Sequence, residues 1–516
     1  MRTERTSGQQ LLVIGFDAAE ISLIDQWRRE GVLPHMQALS QAGTWGRLSS
    51  TARILSGSVW PSLSTGTLPG KHGRYYPIQP RPGQQCVTGF APDWPQPPFW
   101  KTLADAGKRC LIMDIPFGSP LPDFDGVQIV DWGTYDKCST PQSTPAWRLH
   151  DLVNRFGHHP LQKDIKEPTR LGEYRSLLQA LLAGVSLKAS AVRHLLASEP
   201  WDFAFVVFSE THPAGHYFWH RREHRDGASN GGGELRTALQ RIYIAVDRAL
   251  GHILEGLSSD VTVLVISGHG IGSNPLGSHL LPDVLRRLGL LVLRGDDSGT
   301  HTAWTGRDWL KKARDLVPRR VRRSISRHLH RDFRHYLTSR WVSADIDWGK
   351  TQVFCLPGDL QGYLRINLKG REPDGVVEPG AEYKDLCAKL ATLLGGLVDP
   401  SSGRSVVQHV FKTDETFPGP HRHHLPDLIV SWVDSGEISA VCSPDTGLVS
   451  GTSPDARAGN HRPTGFFMMK GPHVSRGHVV TGGHICDIAP TILASFGVTP
   501  PVHMDGTTWT EASVTE

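Results

Sequence analysis

The 516-residue chain carries 55 Lys and Arg against 51 Asp and Glu, a formal charge of +4 that is too small to mark a dedicated nucleic-acid binder. With 39% hydrophobic and 21% charged residues it has the composition of a soluble globular protein and not of a disordered one. Seven cysteines, at 86, 110, 138, 355, 387, 442 and 486, are scattered without a CxxC spacing, which argues against a disulfide framework or a cysteine zinc site and for a reducing compartment.

From the N-terminus, MRTERTSGQQ is polar, and the apolar LLVIGF that follows is far shorter than the ~20 residues of a membrane span. A cytoplasmic protein with no transmembrane segment is expected. Similar apolar runs begin at 109 (RCLIMDI), 203 (FAFVVFS), 261 (VTVLVIS), 427 (DLIVSW) and 465 (GFFMMK). Runs of this length, separated by helix-sized segments, predict parallel strands covered on both faces. Helices are predicted over 20–30, 33–43, 98–107, 174–197, 234–256, 382–395 and 486–496. The fold class is therefore α/β: one doubly wound domain over residues 9–500, with a mostly parallel central sheet and helices on both faces. Segments 75–100 and 134–172 read as loop insertions walling a site, and 296–348 as a basic helical insertion with a solvated face.

In open α/β sheets, reacting groups gather beyond the carboxyl ends of the strands. Asp17 stands there after LLVIGF, Glu210, His212 and His216 after FAFVVFS, and Gly268 and His269 after VTVLVIS, while His461 precedes GFFMMK. Histidines at i and i+4 share a helix face and can chelate one ion, although that spacing alone also occurs on ordinary helices. In LSSTARILSGSVWPSLSTGTLPGKHG (48–73), Ser56 precedes a short helical stretch, where free backbone N–H groups face an incoming anion. Ser58 competes for the role of nucleophile, and either serine could be a plain N-cap.

The joint order of "TxxxLSxxxW…S…TGxxPGKHG", "SETxxxxHxFW", "SxHGxG", "GNHRPxGxxxxKGP" and "DIAPTIL", over about residues 10–500, resembles the type I phosphodiesterase/nucleotide pyrophosphatase branch of the alkaline phosphatase superfamily. The resemblance implies a two-zinc site, a Ser or Thr nucleophile, and phosphoester hydrolysis through a covalent phospho-enzyme. It sets Ser56 at the nucleophile position, Asp17, Ser56 and His269 at one metal, and His212, His216 and His461 at the other. The substrate expected is a small anionic ester, diester or nucleotide-like, with no nucleic acid polymer as partner. Related readings are a group transferase or a sulfate or phosphonate ester hydrolase, and, from another class, a catalytically weakened anion-binding relative.

Two positions depart from the family pattern. The family usually has Asp where His212 stands, and an Asp-His pair where this chain has Gly268-His269. Two zinc ions would then meet only Asp17 and a serine alkoxide, an excess of positive charge that is costly in a partly buried site. Glu210 is the nearest candidate in sequence to supply the missing carboxylate. His212, His216 and His461 alone would form a three-histidine site with an open position, which suits zinc. A carboxylate restored at 268 should raise occupancy of the Asp17 metal, provided the backbone accepts a side chain there.

Overall fold

The computed structural model describes residues 9–80, 87–89, 96–162, 165, 168–220, 233–275, 277–295, 345–358, 360–434, 436–453 and 457–509. The basic segment expected over 296–348 lies outside the described residues except for its last four positions. Of the 75–100 insertion, the described part includes a short hairpin of Ile78–Pro80 with Val87–Gly89.

Nine described strands form the central sheet: β1 (Gln10–Phe16), β2 (Thr44–Ser49), β3 (Cys110–Met113), β4 (Gly126–Val130), β5 (Gln142–Thr144), β6 (Phe203–Phe208), β7 (Val261–Ser267), β8 (Thr464–Lys470) and β9 (His478–His484). Their order is β9-β2-β8-β7-β1-β6-β3-β4-β5. The β7-β1-β6-β3-β4 run is parallel throughout, with Leu11 opposite Phe203 and Thr262 on its two sides. β8 runs against both β2 and β7, and β5 against β4. The sheet is mostly parallel, as its continuous apolar strands predict.

Along β1, Leu12, Ile14 and Phe16 enter one core and Leu11 and Val13 the other, so the two-residue period of the strand feeds both faces. One face is covered by the helices Leu171–Ser198 and Ala238–Leu254, the other by Val59–Thr65, Phe99–Asp105 and Ile488–Ser495. Leu171–Ser198 is long and apolar enough to cross a membrane. Here it packs on the sheet, and its Lys188 is fully buried, donating to the carbonyls of Gly133 and Val207 and pairing with Asp114 at 2.9 Å.

One predicted strand changes sheets. DLIVSW supplies Leu428–Trp432 to a separate four-stranded antiparallel sheet with Val353–Leu356, Gly362–Ile366 and Val407–Lys412, packed by the helix Ala381–Gly395 around its own core. A buried strand of either kind reads as a short apolar run, so periodicity could not assign it. The GFFMMK run does join the central sheet, but antiparallel.

The PGKHG stretch has a structural role. Pro69–His72 forms one helical turn closed by Gly73 at φ +68°, and the buried His72 ring accepts the Arg74 N–H at Nδ1 (3.0 Å) and meets Ser62 Oγ at Nε2 (2.9 Å). Burial, with the Arg74 and His421 charges, pushes the imidazole down to about 3. The unfolded chain takes up a proton below pH ~6.5 that the native His72 refuses. This group's contribution is thus complete above pH 6.5 and is lost as pH falls toward about 3, at about 1.4 kcal/mol per pH unit. Urea unfolding at stepped pH should show that loss, and His72→Gln should make the dependence shallower by close to one proton; an unchanged slope would assign the acid sensitivity elsewhere.

Candidate metal centre

The polar groups at the carboxyl ends of β1, β6 and β7 meet because the chain makes tight, cross-linked turns there. Ala18 adopts φ +54° directly after Asp17, which costs about 1 kcal/mol or more for a residue with a Cβ. The Asp17 N–H donates to Phe208 O at 3.0 Å, and Thr211 Oγ1 donates to Asp17 O at 2.5 Å, joining β1 to β6. The Ala19 N–H donates to Ser267 Oγ, whose own hydroxyl donates to His269 O at 2.8 Å, joining β1 to β7. Glu20, buried, accepts the Ser22 and Ile271 N–H groups on its two oxygens and so ties the same loops again.

His212 and His216 lie on the fully buried helix Thr211–Phe218. That helix sits against the two-stranded ladder Gly270–Ser273 and Gly459–Arg462, in which Ile271 faces His461. Two glycines permit the approach. A Cβ at 459 would lie 2.2 Å from Gly215 O, and a Cβ at 215 would lie 2.4 Å from Ile271 Cδ1. The contact places the Gly459 carbonyl 2.7 Å from His216 Nδ1, so that nitrogen carries the proton and Nε2 keeps its lone pair.

His212, His216 and His461 bring one ring nitrogen each within 4.8 Å of one another, all buried. His212 donates Nδ1–H to Asp17 Oδ2 at 2.9 Å, and its Nε2 lies 2.8 Å from His461 Nε2. Two nitrogens bound to one tetrahedral zinc at ~2.0–2.1 Å stand roughly 3.3 Å apart, so the rings need part by only about half an ångström to accept an ion. Burial, and then the neighbouring imidazoles and the Arg457 guanidinium, hold His216 and His461 well below the usual histidine range. Burial also brings His269 down to about 4. His216, His461 and His269 are thus neutral at neutral pH, the state that ligates metal. Among the described residues, Ser56 Oγ is a buried polar atom without a hydrogen-bond partner, as a group awaiting a ligand would be.

Asp17 Oδ1 accepts Trp60 Nε1–H at 2.8 Å and lies 3.9 Å from His269 Nε2. Burial works to raise its carboxyl, but His212, His269 and the Trp60 bond hold it below the ordinary carboxylate range. Trp60 belongs to the helix that follows Ser56 and so anchors the serine's turn to the same strand ends. Ser58 differs: its hydroxyl is 2.6 Å from Leu55 O and 2.8 Å from Thr51 Oγ1, fully engaged in holding that turn.

Glu210, weighed from sequence as an extra ligand, turns the other way. Its carboxylate lies 3.0 Å from His159 Nε2; burial works to raise its pKa, but Lys188 and His159 together hold it below the ordinary glutamate range. It belongs with Asp114 and Lys188 to a buried charged cluster beneath the site. The carboxylate that does approach is Asp136, whose Oδ2 lies 3.7 Å from His212 Nδ1, while the ring of Tyr135 packs 5.0 Å from that of His212. Neither was singled out in the sequence, because GVQIV was not recognised as the strand β4 whose carboxyl end they follow.

The position of the absent family carboxylate is filled. A Cβ at Gly268 would lie 2.5 Å from Val59 Cγ1. A single substitution therefore cannot restore an aspartate there without displacing a β-branched side chain that has little freedom to turn. Gly268→Asp alone should cost about 1–3 kcal/mol, and Val59→Ala should recover much of the loss. Chemical denaturation of both single variants, the double variant and the parent measures the coupling; strict additivity would mean that the aspartate finds room elsewhere.

The sequence profile of the type I phosphodiesterase / nucleotide pyrophosphatase family matches residues 11–463. No curated protein matches the chain. Murine ectonucleotide pyrophosphatase/phosphodiesterase 5 superimposes with a TM-score of 0.50 at 12% identity, over 98% of this chain and 100% of that one. Phosphonoacetate hydrolase from Sinorhizobium meliloti 1021, solved with phosphonoformate, gives 0.50 at 12% identity over 93% and 94%. At such identity these structures establish the shared fold.

Proposed function

The chain belongs to the type I phosphodiesterase/nucleotide pyrophosphatase family, whose members hydrolyse phosphoester bonds, and on that premise we propose that it is a metal-dependent phosphodiesterase with Ser56 as its nucleophile. The observation that carries the reading is the convergence of three buried imidazoles on one point, supported by a buried Ser56 hydroxyl that has no hydrogen-bond partner among the described residues. His212, His216 and His461 would hold the ion, and three imidazoles with an open fourth position favour zinc. A bound ion would supply Lewis-acid stabilisation of charge on the phosphoryl oxygens.

Ser56 Oγ attacks phosphorus as the bond to the leaving oxygen breaks, and water then cleaves the serine ester. His269, neutral and donating Nδ1–H to Gly270 O at 3.1 Å, keeps Nε2 free to accept a proton or ligate. Trp60 and Asp17 keep the serine's turn in register with the histidines. Assignment to Ser56 over Ser58 is supported by the hydrogen bonds that already engage Ser58. A cytoplasmic location agrees with the six described cysteines being free thiols.

Ser56→Ala should abolish turnover of bis(p-nitrophenyl) phosphate while leaving bound metal unchanged. Ser58→Ala should keep most turnover and cost about 1 kcal/mol of stability. His212→Ala and His216→Ala should each lose the ion and the activity together, since two remaining ligands cannot satisfy it. Monoester, phosphonate and sulfate esters tested beside the diester rank the tetrahedral anions. Silence of the parent protein across that panel, with tight binding of one of them, would instead favour the anion-binding reading.

A further inference from the structure

The metal centre that the family fold leads one to expect has two ions, and the residues around Asp17 fit that poorly. We propose that the site takes a single divalent cation, on His212, His216 and His461, and that Asp17 is a positioning residue which orients His212 instead of ligating a second ion. The inference rests on the metal-dependent reading above and specifies its ligand set.

Both oxygens of Asp17 already serve donors: Oδ2 takes His212 Nδ1–H at 2.9 Å and Oδ1 takes Trp60 Nε1–H at 2.8 Å. A histidine that donates one ring N–H to a carboxylate presents its other nitrogen as a lone pair in a fixed direction, which is how carboxylates commonly support metal-binding imidazoles from behind. His212 Nε2 points to His461 and not to Asp17. The carboxylate itself therefore stands one imidazole away from the ion. A carboxylate at position 212 could not act in this way, so the histidine found there changes what Asp17 does.

The remaining ligands for a second ion are few. Position 268 has no side chain, and Val59 Cγ1 occupies the space a Cβ would need. Glu210 is turned to His159. Asp17 Oδ1 and His269 Nε2, 3.9 Å apart, are what is left among the described residues on that side, with the Ser56 hydroxyl the one further ligand that the family resemblance would add. Among the described residues, His212, His216 and His461 form the one group of three or more metal-binding side chains whose ligand atoms converge.

Charge points the same way. Asp17 and Asp136 both lie on the Nδ1 side of His212, at 2.9 and 3.7 Å. One divalent cation is balanced by two carboxylates, while a second would leave an excess of positive charge even with Ser56 ionised, in a site whose histidines are all buried.

The test is metal stoichiometry of the full-length protein, loaded with excess Zn²⁺, desalted and measured by elemental analysis. One zinc per chain is expected. Asp17→Asn and Asp136→Asn should each still hold one, with the Asp17→Asn affinity weakened 10–100-fold in competition with a chelating dye. Two zinc per chain in the parent, falling to one in either variant, would overturn the proposal and make that carboxylate a ligand of a second ion. A parent protein that holds no zinc, or one that survives His212→Ala and His216→Ala, would remove the three-histidine reading itself. The parent stoichiometry decides between one and two ions even if a variant fails to fold.

Discussion

The hydrogen bond from His212 Nδ1 to Asp17 Oδ2 is the interaction on which the arrangement at the strand ends depends. It joins a residue at the end of β1 to one on the helix after β6, two neighbouring parallel strands, and it is buried on both sides. Being charge-assisted and shielded from water, it is worth more than a neutral hydrogen bond, and removing either partner leaves the other desolvated. It also fixes a tautomer. With the proton on Nδ1, the only lone pair of His212 is on Nε2, directed at His461. The same carboxylate holds Trp60, so the turn bearing Ser56 takes its position from this atom group too.

Below this layer lies a second polar cluster that could be mistaken for part of the site. Lys188 reaches from the middle of the helix Leu171–Ser198 to Asp114, with Glu210 and His159 beside it. A buried pair of this kind gains little over apolar packing, but losing one member costs about 3–5 kcal/mol through the charge left behind. Glu210 immediately precedes the helix that carries His212 and His216. Asp114, at φ +57°, accepts the N–H groups of Trp132 and Gly133, which shapes the chain leading to Tyr135 and Asp136. The cluster thus supports the two segments that carry His212 and His216 on one side and Tyr135 and Asp136 on the other.

Much of this was legible in the sequence. The strands β1, β3, β6 and β7 are buried on both faces and read as unbroken apolar runs, and the helices between them fall within a few residues of their expected bounds. Three histidines and Asp17 stood out because parallel strands deliver their following residues to one edge. Strands β2, β4, β5 and β9 were missed. TWGRLS and HVVTGGH mix exposed polar positions with buried ones, and GVQIV is short and carries a buried Gln128, which accepts the Leu121 N–H and donates to Ser119 O. With β4 unseen, nothing marked Asp136. Adjacency in sequence also says only which strand end a side chain leaves from, not the side to which it turns: a helix begins at Thr211, and Glu210 lies beside His159 while His212 meets Asp17.

The two departures from the family pattern, read one at a time, look like damage. In three dimensions they are coupled to other changes. The carboxylate missing at 268 leaves no hole, because Val59 fills the space, and a β-branched residue on a short helix is a rigid plug. The carboxylate missing at 212 is replaced by an imidazole that recruits Asp17 as its partner. Each loss of negative charge is thereby matched by a feature that lowers the demand for it. A buried site cannot carry a large uncompensated charge, so a chain that has given up carboxylates at two positions must either have gained them elsewhere or bind less positive charge. Among the described residues, Asp136 is the further carboxylate that approaches His212. Three buried imidazoles, two carboxylates and a space closed by a valine side chain are the components of a smaller, self-consistent centre, and it is their mutual fit, more than any one residue, that separates it from a decayed larger one.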